Sequence, residues 1–239
     1  MSVRAPFLPL LSLLLWLALP ALPARAGAFT VAPTRVILTP EDPVGAVEVT
    51  NRGPDTVLLQ LELYRWHAPD GRERLDPTRD LLAVPPLFRL APGESRTIRV
   101  GLRVPFPEDR EGSWRLVVGE VPEAESRMRG GVRFALRLSL PVFARVPGAE
   151  ADVLWELRRQ GDRLVVEAHN RGRAHLRHLR IFLEDAAGRR HPVTAEAGYL
   201  LPDERVRWVL RPAPAAAPRV LLVETDKGVR RVPLAARSG

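Results

Sequence analysis

The chain has 239 residues, 27% of them charged and 46% hydrophobic, with a formal net charge of +8. It contains no cysteine, which excludes disulfide staples and thiol chemistry and leaves stability to packed cores. Its length suits two ordinary domains or one large one.

In chain order, the first element is an export signal over residues 1–26. Arg4 supplies a positive start, Phe7 to Leu22 is an almost unbroken apolar run, and Ala24-Arg25-Ala26 offers small residues where a signal peptidase reads, so cleavage is predicted after Ala26. At about 16 residues, and carrying Pro9 and Pro20, the run is short for the roughly 20 that span a bilayer. No later segment is long and apolar enough to cross one. Cleavage removes Arg4 and Arg25. The remaining basic residues are arginines apart from Lys227, and they are scattered rather than gathered in one block, which argues against nucleic acid as a partner.

Alternation with period two then dominates. It predicts strands over Val44 to Thr50, Val57 to Tyr64, Thr97 to Val104, Trp114 to Val121 and Val132 to Val146. Further strands are predicted over Val153 to Leu157, Leu164 to Ala168, Leu176 to Leu183, Arg205 to Leu210 and Arg219 to Thr225. Turn signals separate them, among them Ala91-Pro92-Gly93 and Asp226-Lys227-Gly228, and most of the 24 prolines fall in such joints. Many short strands at this spacing predict an all-β protein built of β-sandwiches. Asn51-Arg52-Gly53 and Asn170-Arg171-Gly172 each link two apolar strands, one in each half of the chain, which suggests a repeated architecture. With Val146 to Glu150 as the linker, the expected domains are 27–146 and 147–239.

One strand stands out. Val132, Phe134, Leu136, Leu138, Leu140 and Val142 occupy successive even positions, whereas Arg133, Ala135, Arg137, Ser139 and Pro141 occupy the odd ones. Alternate side chains of a strand point to opposite faces, so the segment carries one continuous apolar row. By itself the row is compatible with an ordinary sandwich strand facing its own core.

An ordered set of short signatures accompanies it. Pro33-Thr34-Arg35-Val36 is followed by Pro85-Pro86-Leu87-Phe88-Arg89-Leu90, Ala91-Pro92-Gly93-Glu94 and Thr97-Ile98-Arg99-Val100. Then come Asp109-Arg110-Glu111-Gly112-Ser113-Trp114, Gly119-Glu120-Val121-Pro122 and Pro141-Val142-Phe143. In this order the set resembles the PapD-like periplasmic chaperones of chaperone–usher pilus systems. The resemblance implies two immunoglobulin-like β-sandwich domains in an L-shaped arrangement. It implies a protein that binds pilus subunits lacking their last strand, lends them its own, and delivers them to an outer-membrane usher, with no cofactor, metal or nucleotide. Val132, Phe134, Leu136, Leu138 and Leu140 would form the donor strand. Arg35 matches the family's cleft arginine, which anchors the subunit's C-terminal carboxylate. The family's partner lysine falls on Pro141, a departure that suggests the archaic or alternative branch and leaves Arg89 and Arg137 as candidates for the second cation. Glu111, Arg145 and Asp226 map onto the family's interdomain ion network. Self-association of the free protein is left open.

Two other readings compete with it. An enzyme is disfavoured: there is no Gly-x-Ser-x-Gly turn, phosphate loop or His-Glu-x-x-His motif. His175 and His178, three apart on a strand, are expected on opposite faces as solvated side chains, and His67, His169 and His191 sit in or beside turns. An exported adhesin-like or passive binding module with two sandwiches accounts for the fold and signal, but not for the apolar row together with Arg35 and the ionic set.

Overall fold

The computed structural model describes residues 29–122 and 135–234. Its strands, in chain order, are β1 (Phe29–Ala32), β2 (Val36–Leu38), β3 (Val44–Asn51), β4 (Val57–His67), β5 (Arg74–Pro77), β6 (Leu81–Val84), β7 (Leu87–Leu90), β8 (Ser95–Leu102), β9 (Gly112–Glu120) and β10 (Arg137–Ala144). After the connection at 145–152 come β11 (Val153–Gln160), β12 (Arg163–Asn170), β13 (Leu176–Asp185), β14 (Arg190–Thr194), β15 (Gly198–Leu200), β16 (Arg205–Leu210), β17 (Pro218–Thr225) and β18 (Gly228–Pro233). A single 3₁₀ turn, Pro69–Gly71, is the only helical element among the described residues.

The strands up to β10 form two facing sheets, ordered β1-β3-β8-β6 and β2-β10-β9-β4-β5, with β7 also on β4. Between them lies a core from both inner faces, including Leu38, Val47, Leu59, Ile98, Trp114, Leu116 and Val142. The later strands repeat the plan with β11-β12-β16 against β14-β13-β17-β18, around Leu164, Val166, Ile181, Leu183, Leu221 and Val223. Each predicted strand has a counterpart here. Those not predicted (β1, β2, β5, β6, β7, β14, β15 and β18) are short or lie at sheet edges, where the alternating signal has few residues to register in.

The paired Asn-x-Gly turns are built alike. Asn51 is fully buried; its side-chain amide donates to the carbonyls of Asp55 (2.8 Å) and Leu90 (3.1 Å), while its Oδ1 accepts from Gly53 N–H (2.9 Å). Asn170, equally buried, donates to Ala174 (2.8 Å) and Leu200 (2.9 Å) and accepts from Gly172 N–H (3.0 Å). In each case one amide satisfies a corner of backbone that the sheet leaves unpaired.

The two sandwiches meet through a third apolar cluster: Trp66, Ala68 and Phe143 of the first with Leu201 of the second, supported by Ile37, Leu75 and Tyr199. The Phe143 ring stacks on His175 at 3.8 Å, and Trp66 meets Tyr199 edge-on at 5.4 Å. Backbone bonding crosses the joint as well, from Glu111 N–H to the Arg173 carbonyl (2.8 Å). Glu204 accepts from Ala68 N–H, and Arg110 pairs with Asp203. Such an apolar patch with satisfied polar groups at its rim holds two domains in one arrangement.

Candidate functional site

Strand β10 changes character along its length. Even residues Leu140, Val142 and Ala144 are buried in the first core, and the odd residue Phe143 is buried in the joint. Toward the other end, Arg137 and Ser139 are exposed and Leu136 and Leu138 are only partly covered. The cause is pairing. On one side β10 is matched to β9 throughout, from Arg137↔Gly119 to Ala144↔Gly112. On the other, β2 lies parallel to it over Val142, Phe143 and Ala144 alone.

The direction of the free backbone groups follows from the ladder. Glu120 N–H donates to the Leu136 carbonyl at 2.9 Å, which makes the even residues of β10 the ones that bond to β9. The odd residues therefore point the opposite way, as the Arg145 N–H to Leu38 carbonyl bond (2.8 Å) shows on the β2 side. Arg137 and Ser139 thus direct both backbone groups at an edge that no strand among the described residues pairs with. Pro141, lacking an N–H, occupies a position that would have directed a donor at the same edge. Residues 137–140 offer about 13 Å of open edge at roughly 3.3 Å per residue.

Of the expected donor row, Val132 and Phe134 lie outside the described residues, as does the export signal. Leu136 and Leu138 lie along the open part of the strand, partly buried against the first core. Leu140 belongs to the strand but not to an accessible row: at 3% exposure it is fixed in its own core.

Arg35 lies in the bend that carries the chain from β1 in one sheet to β2 in the other, one residue before Val36 takes its place against Val142. It therefore stands where the open edge of β10 ends. Its Nη1 donates to Asp226 Oδ2 at 2.9 Å, and Asp226 is the first turn residue of the β17–β18 hairpin. The hydrogen bond to Asp226 is the main reason the guanidinium pKa is raised, against the cost of burial. Burial works against the charge on Asp226, yet the Arg35 hydrogen bond and the fields of Arg35, Arg177 and His175 outweigh it and hold the carboxyl below its ordinary value. Around the pair opens a cleft of about 210 Å3 between the sandwiches, lined by Arg35, Arg145, Arg177, Lys227 and Arg230 with Asp226 and Glu150 as its carboxylates.

The other expected second cations lie elsewhere. Arg89 stands opposite Leu58 on β7, at the far end of β4 from Arg65, the residue level with Trp114 and Val142. Arg137 is bound to Glu62 at 2.8 Å, five residues up β10 from the level of Val36. Strand geometry separates both from Arg35, so the cations that share its cleft come from the linker side and the second sandwich.

The ionic set is also split. Glu111, with no exposed side-chain surface, faces His175 through Oε1 and Arg145 at 4.0 Å through Oε2, while Asp226 goes to Arg35. His175 was expected in solvent; instead its side chain is 6% exposed, clamped between Glu111 and the Phe143 ring. His178 is buried too, edge-on to Trp208 at 5.8 Å, and desolvation pushes its pKa down to about 4. Both departures arise because sequence alternation assigns a face but not what covers it. Trp66 and Phe143 carried a signal: each is an apolar residue on the nominally outward phase of its strand, which indicates that both faces there are covered. Tyr199 carried none. Among the described residues no group of histidines and carboxylates is placed to hold a metal, and no helix is long and apolar enough to cross a membrane.

This geometry can be set beside known proteins. The profile of the pili and flagellar-assembly chaperone PapD N-terminal domain matches residues 28–149, just over half of the chain. The chain belongs to that chaperone family. Its members are chaperones, not enzymes. A chaperone protein FimB/FhaD of Bordetella pertussis is 30% identical over 165 residues, covering 62% of this chain and 64% of that one. The fold matches a chain of the CsuC–CsuE chaperone–tip subunit pre-assembly complex of Acinetobacter baumannii, with TM-score 0.65 and 19% identity over 86% of this chain and 96% of the other. It also matches a chain of the Salmonella enterica SafA pilin–SafB chaperone complex, with TM-score 0.63 and 18% identity over 87% and 97%. The PapD-like chaperone is therefore an all-β protein of two immunoglobulin-like sandwiches.

Proposed function

We propose that this PapD-like protein is a periplasmic chaperone that captures incomplete pilus subunits by lending them the open end of β10 and hands them to an outer-membrane usher. The single observation that carries the reading is the half-paired strand: backbone groups of Arg137 and Ser139 face an open edge, and Leu136 and Leu138 lie half-covered beside it. A subunit that lacks a strand exposes the complement, an unpaired ladder above an apolar groove, which is an aggregation hazard unless another chain fills it. Each backbone hydrogen bond formed contributes about 1 kcal/mol. Completing the burial of a leucine adds up to about 1.5–3 kcal/mol, less here because each is already partly covered. The 30%-identical relative is a chaperone by name, and the matching folds were solved in chaperone–subunit complexes, which supports the reading.

In this reading Arg35, at the end of the open edge, receives the C-terminal carboxylate of the bound subunit strand. Glu111, Arg145 and Asp226 help fix the angle between the domains. Residues 27–146 and 147–239 are the two units, and residues 1–26 are removed on export.

The test is coexpression with a candidate pilus subunit that lacks its last strand. Leu138→Arg should leave the chaperone folded and abolish recovery of soluble subunit from the periplasm. Undiminished recovery would assign β10 to the fold alone and favour a passive binding module.

A further inference from the structure

Two roles assigned to separate residues converge on one ion pair. Arg35, from the first sandwich, was expected to hold a ligand's carboxylate, and Asp226, from the second, to link the domains; the structure joins them at 2.9 Å. The site therefore already displays the chemistry it recognises, since the Asp226 carboxylate occupies the guanidinium that a ligand carboxylate would need. Both partners keep access to solvent, at 32% and 27% side-chain exposure, so exchange does not require the sandwiches to unfold.

The surroundings name a second cation. Arg177 on β13 is one of the charges acting on Asp226, and its guanidinium lies 5.9 Å from the Tyr199 ring. Arg35, Arg177 and Asp226 line the same cleft of about 210 Å3, so the two arginines face one carboxylate from different sandwiches. Arg145, by contrast, faces Glu111. Arg177 forms no ion pair within 4.0 Å among the described residues, and β10 itself presents Pro141 in place of a cation. Two guanidinium groups lining one cleft from different domains suit the two oxygens of one carboxylate.

We propose that Arg35 and Arg177 form a carboxylate clamp spanning both sandwiches, and that Asp226 is its built-in competitor, displaced when a subunit's terminal carboxylate arrives. The inference rests on the chaperone reading and adds a regulatory element: anchoring a subunit releases one interdomain link. An intramolecular carboxylate competes at high effective concentration, so the free protein grips stray carboxylates weakly, and only one delivered by a strand already paired along β10 wins.

The probe is acetate, with acetamide as its neutral counterpart, followed through the NMR signals of the Arg35 and Arg177 side-chain Nε–H groups. Asp226→Asn should tighten acetate binding about tenfold, with both arginines responding and acetamide moving neither. Adding Arg177→Ala should return the affinity at Arg35 to that of the unmodified protein, whereas Arg177→Lys should retain part of the gain. Asp226→Ser serves if Asp226→Asn does not fold. Unchanged or weaker acetate binding in the Asp226 variants would overturn the competitor role, and an unaltered response after Arg177→Ala would overturn the clamp. Either result leaves capture by β10 standing, because that rests on the Leu138→Arg outcome.

Discussion

The two halves of β10 share a sequence pattern and have different fates. From Leu140 to Ala144 every side chain is buried, with Leu140, Val142 and Ala144 in the first core and Phe143 in the interdomain joint, and β2 pairs with the strand from Val142 onward. From Arg137 to Ser139 the same alternation meets no partner on one side, and the side chains stay exposed or half-exposed. One half anchors and the other offers. The difference is set by where β2 stops, not by any change in the hydrophobicity of β10.

The comparison can be broken most forcefully at its buried half. Phe143→Ala removes a fully buried ring that touches Trp66, Tyr199 and His175, and is expected to cost about 3–5 kcal/mol in urea unfolding. A loss below about 1 kcal/mol would mean that the joint does not hold the sandwiches together.

Next in size are the two corner asparagines, which test each sandwich separately. Asn51→Ala and Asn170→Ala each strand buried backbone groups and are expected to cost about 2–3 kcal/mol apiece, in different sandwiches. Because the sites share no partners, their effects should add in the double variant.

His178 gives a pH-dependent test of the second sandwich. Its folded pKa, about 4, lies below the ordinary value of 6.5, so the unfolded chain takes up the proton first as pH falls. The neutral imidazole imposes no penalty above about pH 6.5. Stability should then decline by up to about 1.4 kcal/mol per pH unit until the folded state also protonates near pH 4. His178→Leu should flatten that part of the melting-temperature profile.

The smallest stability effects belong to the open half. Leu138→Arg should change unfolding free energy by less than about 1 kcal/mol while abolishing subunit recovery, the reverse of Phe143→Ala. Arg35→Ala loses a partly exposed ion pair, for which about 0–1 kcal/mol is expected. A large drop in melting temperature for Arg35→Ala would assign Arg35 to the fold rather than to a ligand.

Much of this was legible beforehand where period-two alternation ran long. The positions of β3, β4, β8, β9, β12, β13 and β17 follow from it, and the matching surroundings of Asn51 and Asn170 were signalled by their Asn-x-Gly repeats. The order of short signatures around Arg35, Glu111 and Pro141 pointed to the family. Legibility failed where two distant segments meet. The pairing of Arg35 with Asp226 rather than of Asp226 with the Glu111–Arg145 side, and the burial of His175, depend on how one sandwich is seated on the other, and the remoteness of Arg89 and Arg137 from Arg35 depends on strand registers within the first sandwich.

The sequence by itself determined which residues form strands, which face of each is apolar, and that an alternating apolar segment precedes Pro141. These are local properties, set by the period of the extended backbone and by turn chemistry. Only the tertiary structure decided that β2 covers β10 from Val142 onward and leaves Arg137 and Ser139 unpaired, and that Asp226 reaches Arg35 across the joint. Those facts arise from contacts between segments far apart in the chain, where a face is buried or exposed according to what is packed upon it.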